Sequence, residues 1–156
     1  MKATLEHVFR VTIRSSAQAV WDEITRCGVA QPAMFGMVLD AEFRPGGRMW
    51  YRDPESGEVQ IRGEVLEVQP PRRLVHTFAF VSLAEAPTRV TYELHDVIGG
   101  VELVVTHDRF AGPTQTYQKV SAGWPAILQG LRSLLETGGT TVLRECPAVC
   151  GNDACG

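Results

Sequence analysis

Trp124-Pro125-Ala126-Ile127-Leu128-Gln129-Gly130-Leu131-Arg132-Ser133-Leu134-Leu135 places apolar side chains at 124, 127, 128, 131, 134 and 135, the one-sided stripe of an amphipathic helix. It is the only strongly helical stretch after six strand-like runs. A lone helix that follows a long antiparallel sheet has to bury its stripe on one face of that sheet, and the sheet must curl to receive it. Curling leaves a cavity, so the stretch that decides the fold also points to a small-molecule site. Pro125 suits the first turn of a helix but removes a hydrogen bond further in, which predicts that the helix starts afresh or bends there.

Working back from the helix, residues 101–110, 88–96 and 74–81 read as strands, with Gly99-Gly100 as the turn of the last hairpin. Residues 58–68 form a long strand in which Gly63 is expected to mark a bulge. Pro45-Gly46-Gly47 joins strands at 38–44 and 48–53, its glycines supplying the backbone freedom of a tight hairpin. Residues 8–14 make a first strand with a local irregularity. Ser15-Ser16-Ala17-Gln18 then starts a helix with a serine cap and a buried face of Ala17, Val20, Trp21 and Ile24, which Gly28 ends. Gln31-Pro32-Ala33-Met34-Phe35-Gly36 is a short second helix or an irregular connector whose apolar side chains are expected to line the cavity mouth. The topology is one strand, helical connections, six antiparallel strands and one long helix, an α+β fold.

The bulk properties suit one domain. The chain has 156 residues, 44% of them hydrophobic and 21% charged, enough for a single core. A net charge of -3 with scattered Arg and Lys argues against nucleic acid as a partner, because phosphate binding needs clustered cations. No run approaches the roughly eighteen apolar residues of a membrane span, and Met1-Lys2-Ala3-Thr4-Leu5-Glu6-His7 lacks the apolar centre of a signal peptide. A cytoplasmic protein with no membrane partner is expected.

Several short motifs occur in a telling order: Val20-Trp21-Asp22-Glu23-Ile24, the Pro45-Gly46-Gly47 hairpin, Gly63-Glu64-Val65-Leu66-Glu67-Val68-Gln69-Pro70-Pro71-Arg72-Arg73-Leu74, Thr106-His107, and Gly123-Trp124. Taken together the chain resembles the activator-of-Hsp90-ATPase homologue branch of the START-like (SRPBCC, Bet v 1-like) superfamily over residues 5–137. The resemblance implies a helix-grip fold, a curved antiparallel sheet wrapped around a long C-terminal helix, with a START-like ligand-binding domain over residues 1–137. It further implies that a hydrophobic or aromatic small molecule binds in a deep pocket, the protein acting as a carrier, sequestering or resistance protein. Two alternatives come with it: a cyclase, aromatase or hydrolase type of enzyme, and a partner of an Hsp90-type chaperone. A homodimer is compatible with the sequence, and no cofactor is expected. Relatives usually carry a tryptophan after the first helices where this chain has Met34-Phe35-Gly36-Met37, which implies an entrance of different shape.

Alternation assigns side chains to the pocket. Val101, Leu103, Val105 and His107 share one face of their strand, as do Val90, Tyr92 and Leu94 on the next, and Leu74, His76, Phe78 and Phe80 on another. The expected ligand-binding set is Phe35, Trp50, His76, Phe78, Tyr92, Leu103, His107, Trp124 and Leu128, with Trp50 free to face either way. Against that, aromatic and aliphatic residues on such a face more often fill the core, and an inward histidine more often satisfies a carbonyl or hydroxyl. No nucleophile elbow, phosphate-binding loop or His-Glu-x-x-His pair is present, so no catalytic residue is assigned. In the enzyme reading, His76, Tyr92 or His107 would polarise a carbonyl. His107 and Asp108 are neighbours on a strand and point to opposite faces, which speaks against a dyad.

Beyond Gly138-Gly139 the pattern loses its period, and Cys146, Cys150 and Cys155 fall within eleven residues. Residues 138–156 are expected to be a mobile tail, its three thiols a weak candidate for a soft-metal site because zinc spacing and a fourth ligand are missing.

Overall fold

The computed structural model describes residues 5–137. The reading of residues 138–156, including Cys146, Cys150 and Cys155, lies outside the described residues. Seven antiparallel strands run β1 (His7–Ile13), β2 (Val38–Ala41), β3 (Arg48–Arg52), β4 (Val59–Gln69), β5 (Arg73–Phe80), β6 (Thr88–Val97) and β7 (Gly100–Asp108). They form one sheet in the order β1-β7-β6-β5-β4-β3-β2. Every connection from β2 to β7 joins sheet neighbours, so only the first strand travels, to pair β7 with His7 opposite His107 and Ile13 opposite Val101. The helices are α1 (Ala17–Ile24) and α2 (Gln115–Glu136), with a short 3₁₀ turn at Pro32–Met34.

Period-two alternation fixes the inner face. Leu74, His76 and Phe78 of β5, Val90, Tyr92 and Leu94 of β6, and Val101, Leu103, Val105 and His107 of β7 are all buried. They meet a helical stripe of Val120, Trp124, Leu128 and Leu131, also buried, so the sheet grips α2 as the sequence implies. The outer face is covered by charge: Arg73 reaches Glu67 and Glu93, and Arg89 pairs with Asp108. His107 and Asp108 therefore face opposite ways.

The curvature comes from irregular pairing at Tyr51/Arg52 and at Val65/Glu67, where an unpaired residue adds local twist. The bulge expected at Gly63 is not there. Gly63 pairs regularly with Met49, and the residue is small because a Cβ would run into the carbonyl of Thr77. Close strand approach, not a kink, requires this glycine.

Helix α2 begins earlier than the stripe suggests, nine residues before Trp124, and runs through Pro125 as one element. Its first turn is capped from two directions. The Thr114 hydroxyl accepts from the Tyr117 amide, and the Glu85 carboxylate, from the β5–β6 connection, accepts from the amides of Gln115 and Thr116 at 3.3 and 3.2 Å. These satisfy donors that a helix start leaves open and oppose its positive end. They also hold the Glu85 carboxyl below its ordinary range, the Thr116 contact being the largest cause.

At the other helix, Ser16 is the cap as expected, its hydroxyl accepting from the Ala19 amide. Behind α1 the chain is laced to the sheet edge. Gly28 donates to the Leu39 carbonyl, Gln31 to that of Met37, and the buried Gln31 side chain donates to the Arg26 carbonyl at 2.7 Å. That lacing carries Met34, Phe35 and Met37 over the open end of the grip.

Candidate functional site: the cavity under the second helix

A cavity of about 560 Å³ lies between the sheet and the N-terminal half of α2, within the range typical of small-molecule pockets. Ile61, Phe78 and Phe80 form its sheet wall; Val120, Gly123, Trp124 and Ile127 form its helix wall. Met34, Phe35 and Met37 stand on one rim, and Lys119, Ala122 and Ala126 on the other. A Cβ placed on Gly123 would meet nothing within 4 Å, so this glycine is absent side-chain volume facing open space. Phe35 is 64% exposed and sits in the left-handed backbone region at φ 57°. A bulky residue is rarely found there. It is held by the bonds from Gly36 to Gln31 and from Met37 to Met34, which leaves an aromatic ring standing at the entrance.

A second, much smaller void of about 20 Å³ lies deeper, against Tyr51, Tyr92, Leu103, Leu128 and Leu131, and shares Met34, Trp124 and Ile127 with the first. It has room for about one water. Tyr51 and Tyr92 are hydrogen-bonded to each other there, and burial pushes both phenols well above their ordinary pKa. Both stay neutral at any physiological pH.

The sequence-predicted set therefore divides. Phe35, Phe78 and Trp124 line the large cavity; Tyr92, Leu103 and Leu128 line only the small void. Trp50 faces outward, under the Arg48 guanidinium at 5.1 Å and beside Arg62 and Glu64 in a shallow outer hollow. Its neighbours Met49 and Tyr51 are the buried, inward residues of β3. His76 and His107 line neither cavity. Met34 and Phe35, from the 31–36 run expected at the mouth, do line it, whereas Met37, Ile61, Lys119 and Gly123 lie outside the sequence-predicted set.

His107 is a hydrogen-bond hub. The indole Nε1 of Trp124 lies 3.0 Å from its Nδ1, and Thr88 Oγ1 lies 2.7 Å from its Nε2. An indole can only donate, so Nδ1 accepts; neutral His107 then carries its proton on Nε2 and donates to Thr88, whose hydroxyl donates to the Phe78 carbonyl at 3.0 Å. Every polar atom of this chain is used. Burial, then the nearby His76 and His7, lower the His107 pKa to about 3. His76 is held similarly: its Nδ1 lies 2.7 Å from the Thr77 carbonyl, to which it donates, and burial lowers its pKa to about 4. Its Nε2 has no hydrogen-bond partner among the described residues. Among the described residues no group of three or more His, Cys, Asp or Glu is placed to hold a metal ion. No helix among them is long and apolar enough to cross a membrane.

Comparison with known proteins agrees with this architecture. The family model described as activator of Hsp90 ATPase homolog 1-like protein matches residues 2–136. No curated protein matches. Among solved structures, a Mesorhizobium loti protein superposes with a TM-score of 0.72 at 22% identity, covering 85% of this chain and 98% of that one. The Aha1 dimer from Colwellia psychrerythraea, solved in solution, gives 0.71 at 16% identity over 86% and 98%. An HSP90 activator from Plasmodium falciparum gives 0.65 at 16% identity over 89% and 95%. At these identities the likeness establishes the helix-grip fold and nothing finer.

Proposed function

The chain belongs to the activator of Hsp90 ATPase homolog 1-like family, in the START-like superfamily, and from that premise we propose that it binds a hydrophobic or aromatic small molecule under α2. It does so as a carrier, sequestering or resistance protein of the cytoplasm. The observation that carries this reading is the cavity of about 560 Å³ whose walls are Ile61, Phe78, Phe80, Val120, Trp124 and Ile127. Apolar wall of this extent left open to water forgoes the stabilisation of burial, which a ligand covering it would supply. For the enzyme alternative, His76 and His107 stand outside the cavity wall with their protons committed to Thr77 and Thr88, and Tyr92 lines only the small void, which leaves Lys119 as the ionisable side chain on the large cavity.

Native mass spectrometry of protein purified from its own host tests the proposal directly. A retained mass that is lost from a Gly123→Leu variant of equal thermal stability supports it. Equal retention by the parent and the variant counts against this cavity as the site.

A further inference from the structure

Among the side chains that line the cavity, one carries a free polar group. The indole N–H of Trp124 is taken by His107, so this residue offers the cavity only apolar ring atoms. The remaining lining side chains are hydrocarbon or thioether, with the single exception of Lys119. Its ammonium lies 5.2 Å from the centroid of Phe80, a ring of the sheet wall. Among the described residues no carboxylate lies within ion-pair distance of it. Glu85, the acidic group that caps the same helix, is occupied by the amides of Gln115 and Thr116.

An ammonium donates and does not accept. A ligand whose polar end is a donor gains nothing from this exposed ammonium, and a cationic end is repelled by it. One with an acidic end would be oriented with its charge at the rim and its body against Phe78 and Trp124. Resting on the cavity reading above, we propose that the ligand is an amphipathic acid: an apolar or aromatic body carrying a single anionic group, held by Lys119.

Two probes with one body separate the two claims. 8-Anilinonaphthalene-1-sulfonate carries an acid on an arylamine that N-phenyl-1-naphthylamine presents without charge, and both report binding by fluorescence. The parent protein is expected to bind both, the sulfonate the more tightly and with an affinity that falls as salt is added. Lys119→Gln should weaken the sulfonate about tenfold, the scale of one charge-assisted hydrogen bond, and leave the neutral probe unchanged. Gly123→Phe, or Gly123→Leu if the larger side chain prevents folding, should abolish both. Unchanged binding of both probes by Lys119→Gln, or equal weakening of both, with the Gly123 variant still blocking both, would overturn the acid proposal and leave the cavity reading standing. Failure of the parent to bind either probe, or indifference of both to the Gly123 change, would overturn both.

Discussion

Trp124 Nε1 and His107 Nδ1, 3.0 Å apart, join the middle of α2 to the last strand through the one direct hydrogen bond between an indole and an imidazole in the core. The pair fixes the rotation of α2 over the sheet, because a helix turned by one residue would carry the indole away from the imidazole. It also keeps the polar N–H of Trp124 away from the cavity that the ring lines.

Replacing Trp124 by Phe keeps an aromatic ring and removes the donor, leaving Nδ1 of His107 buried without a partner. A loss of about 1–3 kcal/mol is expected, read as a lower urea midpoint at constant m-value. Unchanged stability would mean that the bond does not organise the helix.

His76 and His107 give stability an acid limit. Both have folded pKa values, about 4 and about 3, below the unfolded value of 6.5, so protons bind the unfolded chain more strongly. Their contribution is complete above pH 6.5 and is lost progressively as pH falls towards 4 and then 3. Between pH 7 and pH 5 the two together should cost about 2–4 kcal/mol, before most carboxylates titrate. Urea titrations at both pH values check this; a flat profile would show at least one histidine to be solvated.

Two glycines should respond in opposite directions to alanine. At Gly63 the new methyl collides with the Thr77 carbonyl, and a loss of about 1–3 kcal/mol is expected from overpacking. At Gly123, inside α2 with open space around it, the same change removes a helix-weakening residue and should gain up to about 1 kcal/mol. Thermal unfolding of the pair measures both signs.

Leu131 is 3% exposed at the core end of α2. Leu131→Asp puts an uncompensated charge there and should cost several kcal/mol, enough to prevent folding. A folded variant with the parent's melting temperature would be incompatible with the grip.

The fold was readable because its signals are periodic. Alternation assigned Leu103, Val105 and His107, Tyr92 and Phe78 to the inner face, and the stripe from Trp124 to Leu131 assigned the helix. What escaped depends on contacts between distant residues. The start of α2 has a local cap in Thr114 but is reinforced by Glu85, thirty residues upstream of Gln115, and its first turns carry the polar residues Gln115, Gln118 and Lys119 that hide a stripe. The reason for Gly63 is the backbone of β5, not its own strand. The site was harder still: an inward direction does not say whether a side chain meets a void or another side chain, so His76, His107 and Leu128 were placed correctly on the inner face and yet do not line the large cavity.

Anchored at its first turn by Glu85 and, through Trp124 nine residues later, by His107, the first half of the helical wall is held at two points. Lys119, Ala122 and Gly123 lie between those anchors on the cavity side, none of them takes part in either, and none belongs to the buried stripe of Val120, Trp124, Leu128 and Leu131. Their side chains can therefore be exchanged without altering the helix's register on the sheet, and a lineage built on this scaffold could change ligand by drift at three positions while its folding information stays elsewhere. At these three positions selectivity can change apart from foldability, whereas Val120 and Trp124 serve both.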